Sequence, residues 1–198
     1  MGRRKTYDRD EIAERAMRVF WEHGYHATST RELTEAMGVN PYSLYAEFGS
    51  KEALYEAAID RYEQIIVQGH FGKLETPTAS LEEIRQVLSF FGEAAKREDS
   101  NLGCLICNAS TELAPTVEGS QASTARFIKR LSKAFTNALN NAADQGRLQD
   151  SAPINELANF FATLLMGLFV LMRAQVAPTV QQAAAQQALL RLDQVTRP

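Results

Sequence analysis

Residues 30–54 constrain the fold more than any other segment, because they place two short amphipathic stretches on either side of a glycine, with a third directly behind. Leu33, Ala36 and Met37 recur at three- and four-residue spacing. This spacing predicts one apolar face on a helix that ends at Gly38, since glycine adopts positive φ at the lowest cost. The chain is therefore expected to reverse direction at that glycine.

A second helix is predicted to begin at Pro41, which suits the first helical position, with Asn40 as its N-cap. Leu44 and Phe48 lie four residues apart and can both face a core. The other side chains of this helix point outward or to its flanks: Tyr42, Ser43, Tyr45, Ala46 and Glu47. Two tyrosines and a serine on an exposed helix suit contacts with base edges and phosphates, so the pattern predicts a helix-turn-helix that binds duplex DNA.

A third helix is predicted to follow at once, because Gly49 can end the second helix and Ser50 can cap the third. Lys51 then lies at a helix N-terminus, where its charge opposes the helix dipole. A nearby phosphate explains a cation at this position better than helix stability does, since both the lysine and the positive helix end attract an anion.

The stretch from Ala16 to Leu54 resembles the N-terminal domain of the TetR family of bacterial transcriptional regulators. The resemblance rests on an apolar first helix and on a series of short motifs: Phe20, Gly24-Tyr25, Thr28-Ser29-Thr30, Gly38-Val39, Leu44-Tyr45, Phe48 and Ser50-Lys51-Glu52. A G-C-L motif that starts at Gly103 further resembles the branch of the family that includes sensors of reactive electrophiles and oxidants.

The resemblance implies specific DNA contacts along the second and third helices. Those expected at phosphates are Thr30, Tyr45 and Lys51, and those expected at bases or in the groove are Pro41, Tyr42 and Ser43. Many relatives carry histidine where Glu47 stands, and an acidic side chain there can instead accept from a cytosine N4 amine. The alternative is a packing motif without DNA, in which the tyrosines only cover the surface.

The charge of the chain limits how it can bind DNA. The net charge of −3 is not that of a nonspecific nucleic-acid coat, and residues 1–55 hold eight Lys or Arg against nine Asp or Glu. Binding must therefore depend on where individual charges lie. Arg3, Arg4 and Lys5 can follow phosphates or enter a minor groove, with Arg4 as the expected contact, or they can form a solvated tail.

Beyond residue 55 no segment shows strand alternation, and turn-forming residues separate a series of helical patterns. These helices are predicted near 50–68, 80–97, 104–113, 119–145, 154–176 and 179–194. With three helices in front, the expected fold class is all-α with about nine helices. We expect a helix-turn-helix domain over 1–55 and a helical ligand-binding and dimerisation domain over 56–198. No run reaches the roughly 18 apolar residues of a membrane span, and the N-terminus lacks a signal-peptide core, so a cytoplasmic protein is expected.

The predicted helix over 154–176 contains a stretch from Phe160 to Met172 that is apolar on all sides. Such a helix must be covered all round, so we expect one side to meet its own subunit and the other a second copy. Gly167 would allow close approach in a four-helix interface. The predicted interface residues are Phe161, Leu165, Gly167, Leu168, Met172, Ala188 and Leu192. A central helix in a monomeric bundle is the alternative.

The segment between these regions has the composition of a pocket for a small, mostly apolar molecule, with bulky apolar residues and a few small polar groups. The predicted lining residues are Leu88, Phe91, Cys107, Thr111, Phe127 and Leu131. The same composition fits an ordinary core, so a ligand is expected from the family resemblance and not from periodicity. A bound ligand would favour a subunit arrangement that no longer matches the operator, with coupling through the helix that starts at Ser50.

Two cysteines and three histidines are the candidate reactive groups. Cys104 and Cys107 form a C-x-x-C near the start of a helix, a position that lowers a thiol pKa and places both sulfurs on one face. Thiol-based sensing is one interpretation and structural burial is the other. Two cysteines cannot complete a zinc site without further ligands, and His23, His26 and His70 have no metal or triad spacing. We therefore expect no cofactor, no metal and no enzymatic activity.

The sequence thus predicts a ligand-responsive, homodimeric transcriptional regulator. A repressor is expected over an activator, because occupancy of the operator alone blocks polymerase. A two-fold dimer would meet a palindromic operator through two recognition helices. The alternatives are a redox- or electrophile-sensing repressor that acts through Cys104, and a helical binding protein without DNA recognition.

Overall fold

The computed structural model describes residues 8–94, 96–97, 100–113 and 118–197. Three helices form the N-terminal unit: α1 (Arg9–His23), α2 (Thr30–Met37) and α3 (Pro41–Phe48). A longer rod follows, built from α4 (Lys51–Tyr62), a π-helical turn (Glu63–Val67) and α5 (Gln68–Phe71). A short 3-10 turn (Gly72–Glu75) ends this rod.

Five further helices complete the chain: α6 (Leu81–Ala94), α7 (Leu105–Leu113), α8 (Glu118–Asp144), α9 (Ile154–Arg173) and α10 (Pro178–Val195). The helix α8 packs along α9, and α10 packs along α6. Because α4, the π turn and α5 are continuous, the described ranges hold nine helical rods and, apart from one isolated bridge between Leu148 and Thr196, no β pairing. The predicted all-α fold with about nine helices is confirmed.

The helix-turn-helix forms for the local reasons that the sequence indicates. Ser29 and Glu32 make a capping box at the start of α2, in which the Ser29 hydroxyl accepts from the Glu32 N–H at 3.2 Å and the Glu32 carboxylate accepts from the Ser29 N–H at 2.7 Å. Gly38 ends α2 with φ +67° and ψ +29°, the left-handed conformation expected there. The side chain of Asn40 caps α3 by accepting from the Ser43 N–H at 2.8 Å.

One residue on α2 differs from expectation. Leu33 and Met37 are buried as predicted, whereas Ala36 is exposed and Thr34 is buried beside them. The helix is only eight residues long. Its packing on α1, and not the spacing of its apolar residues alone, therefore decides which of its residues face the core.

The helix-turn-helix unit and the C-terminal helices share one continuous apolar core. In the N-terminal unit the core is aromatic: the Phe20 and Tyr55 rings meet edge to face at 4.8 Å, and Tyr25 lies 5.1 Å from Tyr55 and 6.1 Å from Phe20 between ring centroids. Trp21 meets Tyr62 edge to face at 5.0 Å, further along α4. The domain boundary after residue 55 stays a prediction.

The helix α9 is buried on one side only. By length and composition it could cross a membrane. Eight of its residues are nevertheless buried against other helices of the same chain, as in the core helix of a globular domain. Phe160, Gly167 and Val170 lie on the opposite, exposed side.

The predicted dimer residues fall mostly on the buried side, which is a correction to the sequence analysis. Six of them are at most 5% exposed within a single chain: Phe161, Leu165, Leu168, Met172, Ala188 and Leu192. Their side chains pack in the chain's own core and leave almost no surface for a second copy. Gly167 alone of the predicted set is exposed, and a Cβ added there would meet no atom within 4 Å. An apolar pattern on all sides of α9 could not indicate which side faces inward.

Substituting the α2 cap tests the capping box. Ser29→Ala removes the acceptor for the Glu32 N–H and should lower the free energy of unfolding by about 1 kcal/mol. Urea denaturation followed by far-UV circular dichroism measures this change. Ser89→Ala, at an exposed position inside α6, is the matched control and should not lower stability, because alanine favours a helix interior. An equal loss in both variants would contradict the capping assignment.

Candidate nucleic-acid interface

The outward face of α3 carries the predicted base contacts. Tyr42 is 83% exposed and Tyr45 is 42% exposed, whereas Leu44 and Phe48 are buried on the opposite side. Pro41 is exposed at the first position of α3. The structure therefore presents a proline and two tyrosines together at the surface of the helix that follows the turn. Ser43, also predicted as a base contact, is half-buried behind them.

Two of the predicted phosphate contacts lie side by side. The Thr30 hydroxyl, at the start of α2, is 3.0 Å from the Tyr45 hydroxyl on α3. Either oxygen can donate in this hydrogen bond, which leaves the other hydroxyl hydrogen free to donate outward to an anion. The pair thus fixes α2 against α3 and offers a hydroxyl donor beside the exposed face of α3.

Lys51, the third predicted phosphate contact, is turned partly back into the protein. Its Nζ donates to the Tyr25 carbonyl at 2.6 Å and lies 4.3 Å from the centroid of the Tyr25 ring. Burial lowers the pKa of the Lys51 ammonium, and the carboxylates of Glu52, Glu112 and Glu32 oppose that lowering. An ammonium has three donors, so the contact with Tyr25 leaves two for a phosphate.

Of the two further predicted positions, only Glu47 lies within the described residues, and it is placed differently. The side chain of Glu47 is only 12% exposed and lies 3.7 Å from the Nε of Arg9 on α1. It is therefore not on the outward face of α3, and the expected contact with a cytosine amine has no support from its placement. Arg4 and the rest of the N-terminal arm lie outside the described residues.

The turn that follows α1 is fixed by a residue that sequence analysis missed. The carboxylate of Glu112, near the end of α7, accepts from the backbone N–H groups of Tyr25 at 3.0 Å and His26 at 2.6 Å. The Tyr25 hydroxyl donates to Glu52 at 2.6 Å, and burial together with this bond raises the pKa of that hydroxyl. No local signal pairs residues that are 86 or 87 positions apart in the chain.

Two other contacts tie the end of α1 to the C-terminal helices. The Trp21 indole N–H donates to the Gly103 carbonyl at 3.3 Å. The guanidinium of Arg173, at the end of α9, donates to the carbonyls of Trp21 at 3.3 Å and Glu22 at 3.2 Å. Arg173 thus supplies partners for the carbonyl groups that the last turn of a helix leaves unpaired.

Five of the six predicted pocket residues come together. Leu88, Phe91, Cys107, Phe127 and Leu131 are all buried in the core, whereas Thr111 is exposed on α7. The Phe91 ring stacks on Phe71 at 5.4 Å and meets Phe169 edge to face at 5.1 Å. These side chains pack in the core among α5, α6, α7, α8 and α9, as the ordinary-core alternative expects. A ligand pocket at this place stays a prediction.

Both cysteines are buried and free. Cys104 is 1% exposed and Cys107 is 3% exposed, and the Cys107 sulfur lies 3.5 Å from the sulfur of Met166. Burial raises the pKa of the Cys104 thiol, but hydrogen bonds from Cys107, from the α7 backbone and from Tyr62 outweigh it and lower that pKa below its ordinary value. The bond to Cys104 and burial raise the pKa of Cys107. Within the described ranges, no three His, Cys, Asp or Glu residues cluster as metal ligands would.

Family models and known proteins show what this chain is similar to. Residues 12–58 match the family model "Bacterial regulatory proteins, tetR family", and residues 80–188 match "Tetracyclin repressor-like, C-terminal domain". The transcriptional repressor ComR of Escherichia coli (strain K12) is 30% identical over 171 residues, which cover 85% of this chain and 81% of ComR. YezE of Bacillus subtilis (strain 168), an uncharacterized HTH-type transcriptional regulator, is 32% identical over 165 residues, which cover 81% of this chain and 83% of YezE.

A solved structure extends the comparison to a DNA complex. A cysteine mutant of the TetR family transcriptional regulator CifR, complexed with 26-bp double-strand operator DNA, superposes with a TM-score of 0.80 at 31% identity. The match covers 95% of this chain and 98% of that chain. The chain therefore belongs to the TetR family of DNA-binding transcriptional regulators, which are not enzymes.

Proposed function

We propose that this protein is a cytoplasmic repressor that occupies a palindromic operator as a homodimer and leaves it when a small, mostly apolar molecule binds the C-terminal domain. The exposed face of α3 is the observation that best supports binding to operator DNA. A tyrosine that is 83% exposed, Tyr42, stands beside Pro41 at the N-terminal end of a capped helix. The N-terminal residues of a recognition helix are the ones that reach base edges in the major groove.

Phosphate contacts would flank that face. The linked hydroxyls of Thr30 and Tyr45 lie on one side, and Lys51 lies at the N-terminus of α4. Phosphate contacts set the register of a protein on the duplex, whereas base contacts select the sequence. A chain with a net charge of −3 then binds through a few placed donors and not through a general positive field.

A second copy would cover the exposed apolar side of the last two helices. Phe160 and Val170 on α9 are 43% and 52% exposed, and Val180 and Leu190 on α10 are 48% and 43% exposed. Gly167 lies between the first two and leaves room for close approach. Two helices from each copy form a four-helix interface, and a two-fold axis through it pairs the two recognition helices. In the proposed interface, these four exposed side chains take the place of the buried residues that the sequence pattern indicated.

The effector would enter the aromatic region of the C-terminal domain. Phe71, Phe91, Phe127 and Phe169 form linked ring contacts there, and Cys107 lies in the same core. A mostly apolar molecule suits such a lining. Relatives described as repressors, such as ComR, support the assignment to repression.

Substitutions in the helix-turn-helix test the two kinds of DNA contact. Lys51→Met keeps the apolar stem and removes the ammonium, so it should weaken binding about equally across duplex variants and reduce the salt slope by about 1. Tyr42→Ala should instead change preference at particular base pairs, by roughly tenfold. Fluorescence anisotropy with labelled duplexes over a range of KCl concentrations measures both effects.

A lysine away from the interface serves as the control. Lys73 is exposed in the 3-10 turn after α5. The Lys73→Met variant should bind DNA as tightly as the wild type does. Equal, sequence-independent losses for Lys73→Met and Lys51→Met would show that only net charge matters. That result would contradict the proposed interface.

The dimer is tested on the exposed side of α9. Val170→Glu places a charge where the second copy would pack, and because the position is half-exposed the single chain should still fold. We expect it to elute as a monomer on a sizing column at concentrations where the wild type elutes as a dimer. Ile128→Glu, a comparable exposed aliphatic position on α8, should stay dimeric. A dimeric Val170→Glu variant would place the interface elsewhere.

Thiol sensing through Cys104 is a second candidate function, favoured by the position of this residue directly before α7, because a helix N-terminus stabilises a thiolate. Burial of both sulfurs predicts slow reaction with iodoacetamide in the native protein and fast reaction in urea. Mass spectrometry of timed samples gives the two rates. The sensing hypothesis requires that native protein modified at Cys104 loses affinity for DNA. Unchanged affinity after complete modification would exclude it and leave burial as the role of this residue.

A further inference from the structure

The carboxylate of Glu112 joins the C-terminal domain to the turn after α1. Its two oxygens accept from two successive backbone N–H groups, those of Tyr25 at 3.0 Å and His26 at 2.6 Å. Hydrogen bonds from N–H groups to a carboxylate are among the stronger ones in proteins. Glu112 lies one residue before the end of α7, so the position of this helix is directly linked to the position of the turn.

Gly24 makes this approach possible. Its φ of +83° suits glycine, and a Cβ added there would lie 2.7 Å from the Glu112 Oε2 atom. Any side chain at this position would therefore push the carboxylate away from the turn. The glycine permits both the turn and the close contact with α7.

Tyr25 transmits the contact to the DNA-binding surface. Its N–H is held by Glu112, and its carbonyl accepts from the Nζ of Lys51 at 2.6 Å. The Tyr25 hydroxyl donates to Glu52, the next residue of α4, at 2.6 Å. A shift of the Glu112 carboxylate would thus move the group that orients the Lys51 ammonium.

The rest of the junction does not depend on Glu112. The Trp21 indole and the Arg173 guanidinium attach the end of α1 to the C-terminal helices through other atoms. The aromatic contacts of Phe20, Tyr25 and Tyr55 also remain without it. Removing the Glu112 carboxylate should therefore free the turn and leave the fold intact.

We propose that Glu112 is a positioning residue for DNA binding: by holding the Tyr25–His26 turn, it sets the direction in which Lys51 meets a DNA phosphate. The inference rests on the proposed DNA contact of Lys51. It also assigns a role to α7, which carries Cys107 in the core and Glu112 at the junction. A ligand that displaces α7 would withdraw the carboxylate from the turn and weaken the phosphate contact.

The direction in which DNA affinity changes when the Glu112 carboxylate is removed distinguishes a positioning role from a purely electrostatic one. Removing a negative charge near DNA should tighten binding if the charge acts only through its field. Removing Glu112 should weaken binding if the carboxylate orients Lys51. Glu22, exposed at the end of α1, offers a matched control whose carboxylate lies near His23.

The experiment measures binding of Glu112→Ala, Glu112→Gln and Glu22→Ala to the duplex that the wild-type chain enriches from a random pool, over a range of KCl concentrations. We expect Glu112→Ala to weaken binding about tenfold, as the loss of charge-assisted hydrogen bonds suggests, and to reduce the salt slope as Lys51→Met does. Glu112→Gln keeps one acceptor oxygen and should lose less DNA affinity than Glu112→Ala. Glu22→Ala should bind as tightly as the wild type or more tightly.

A double substitution tests whether Glu112 acts through Lys51. In a Lys51→Met background, Glu112→Ala should cause no further loss, because residues that act through one contact are not additive. The inference would be overturned if the losses in DNA affinity of the two substitutions added fully, or if Glu112→Ala and Glu112→Gln both bound DNA with wild-type affinity. The proposed function would stand in either case. A wild-type chain that binds no duplex would overturn both, so the two failures are distinguishable. Circular dichroism melting of each variant confirms that folded protein is compared.

Discussion

Tyr25 holds the N-terminal unit together and attaches it to the rest of the chain. Its ring packs with Phe20 and Tyr55, and its hydroxyl donates to Glu52 at the start of α4. Its carbonyl accepts from Lys51, and its N–H donates to Glu112. A single buried residue therefore fixes α1, α4 and α7 relative to one another. The recognition helix α3 lies between α2 and α4, so its orientation depends on the same contacts.

This arrangement explains how a regulator of this size can couple two domains without a flexible linker. The core runs without interruption from α1 into the C-terminal helices, and polar contacts at Trp21, Arg173 and Glu112 hold the end of α1. Packed cores respond to strain by discrete shifts more than by gradual deformation. Under the proposed function, a ligand in the aromatic region would change the position of whole helices and, through them, the spacing of two recognition helices in a dimer.

Sequence patterns predicted the parts of the molecule that are determined locally. Gly38, Asn40 and Ser50 act as the turn and cap residues that their chemistry indicates, because each interacts with atoms only a few positions away. The contact of Glu112 with the turn had no such signal. The interface residues predicted on α9 lie mostly on its buried side, since a helix that is apolar all round contains no pattern that distinguishes its two sides. Long-range packing decides both features, and packing is visible only in three dimensions.

The central claim is that a symmetric dimer of this chain binds a specific DNA sequence. Selection from a random pool of DNA duplexes with the purified protein, followed by sequencing, tests it most directly. A symmetric dimer should enrich a two-fold symmetric sequence whose half-sites are about one helical turn, or a small multiple of it, apart. Enrichment of no sequence, or of a single unsymmetric half-site by a monomer, would contradict it.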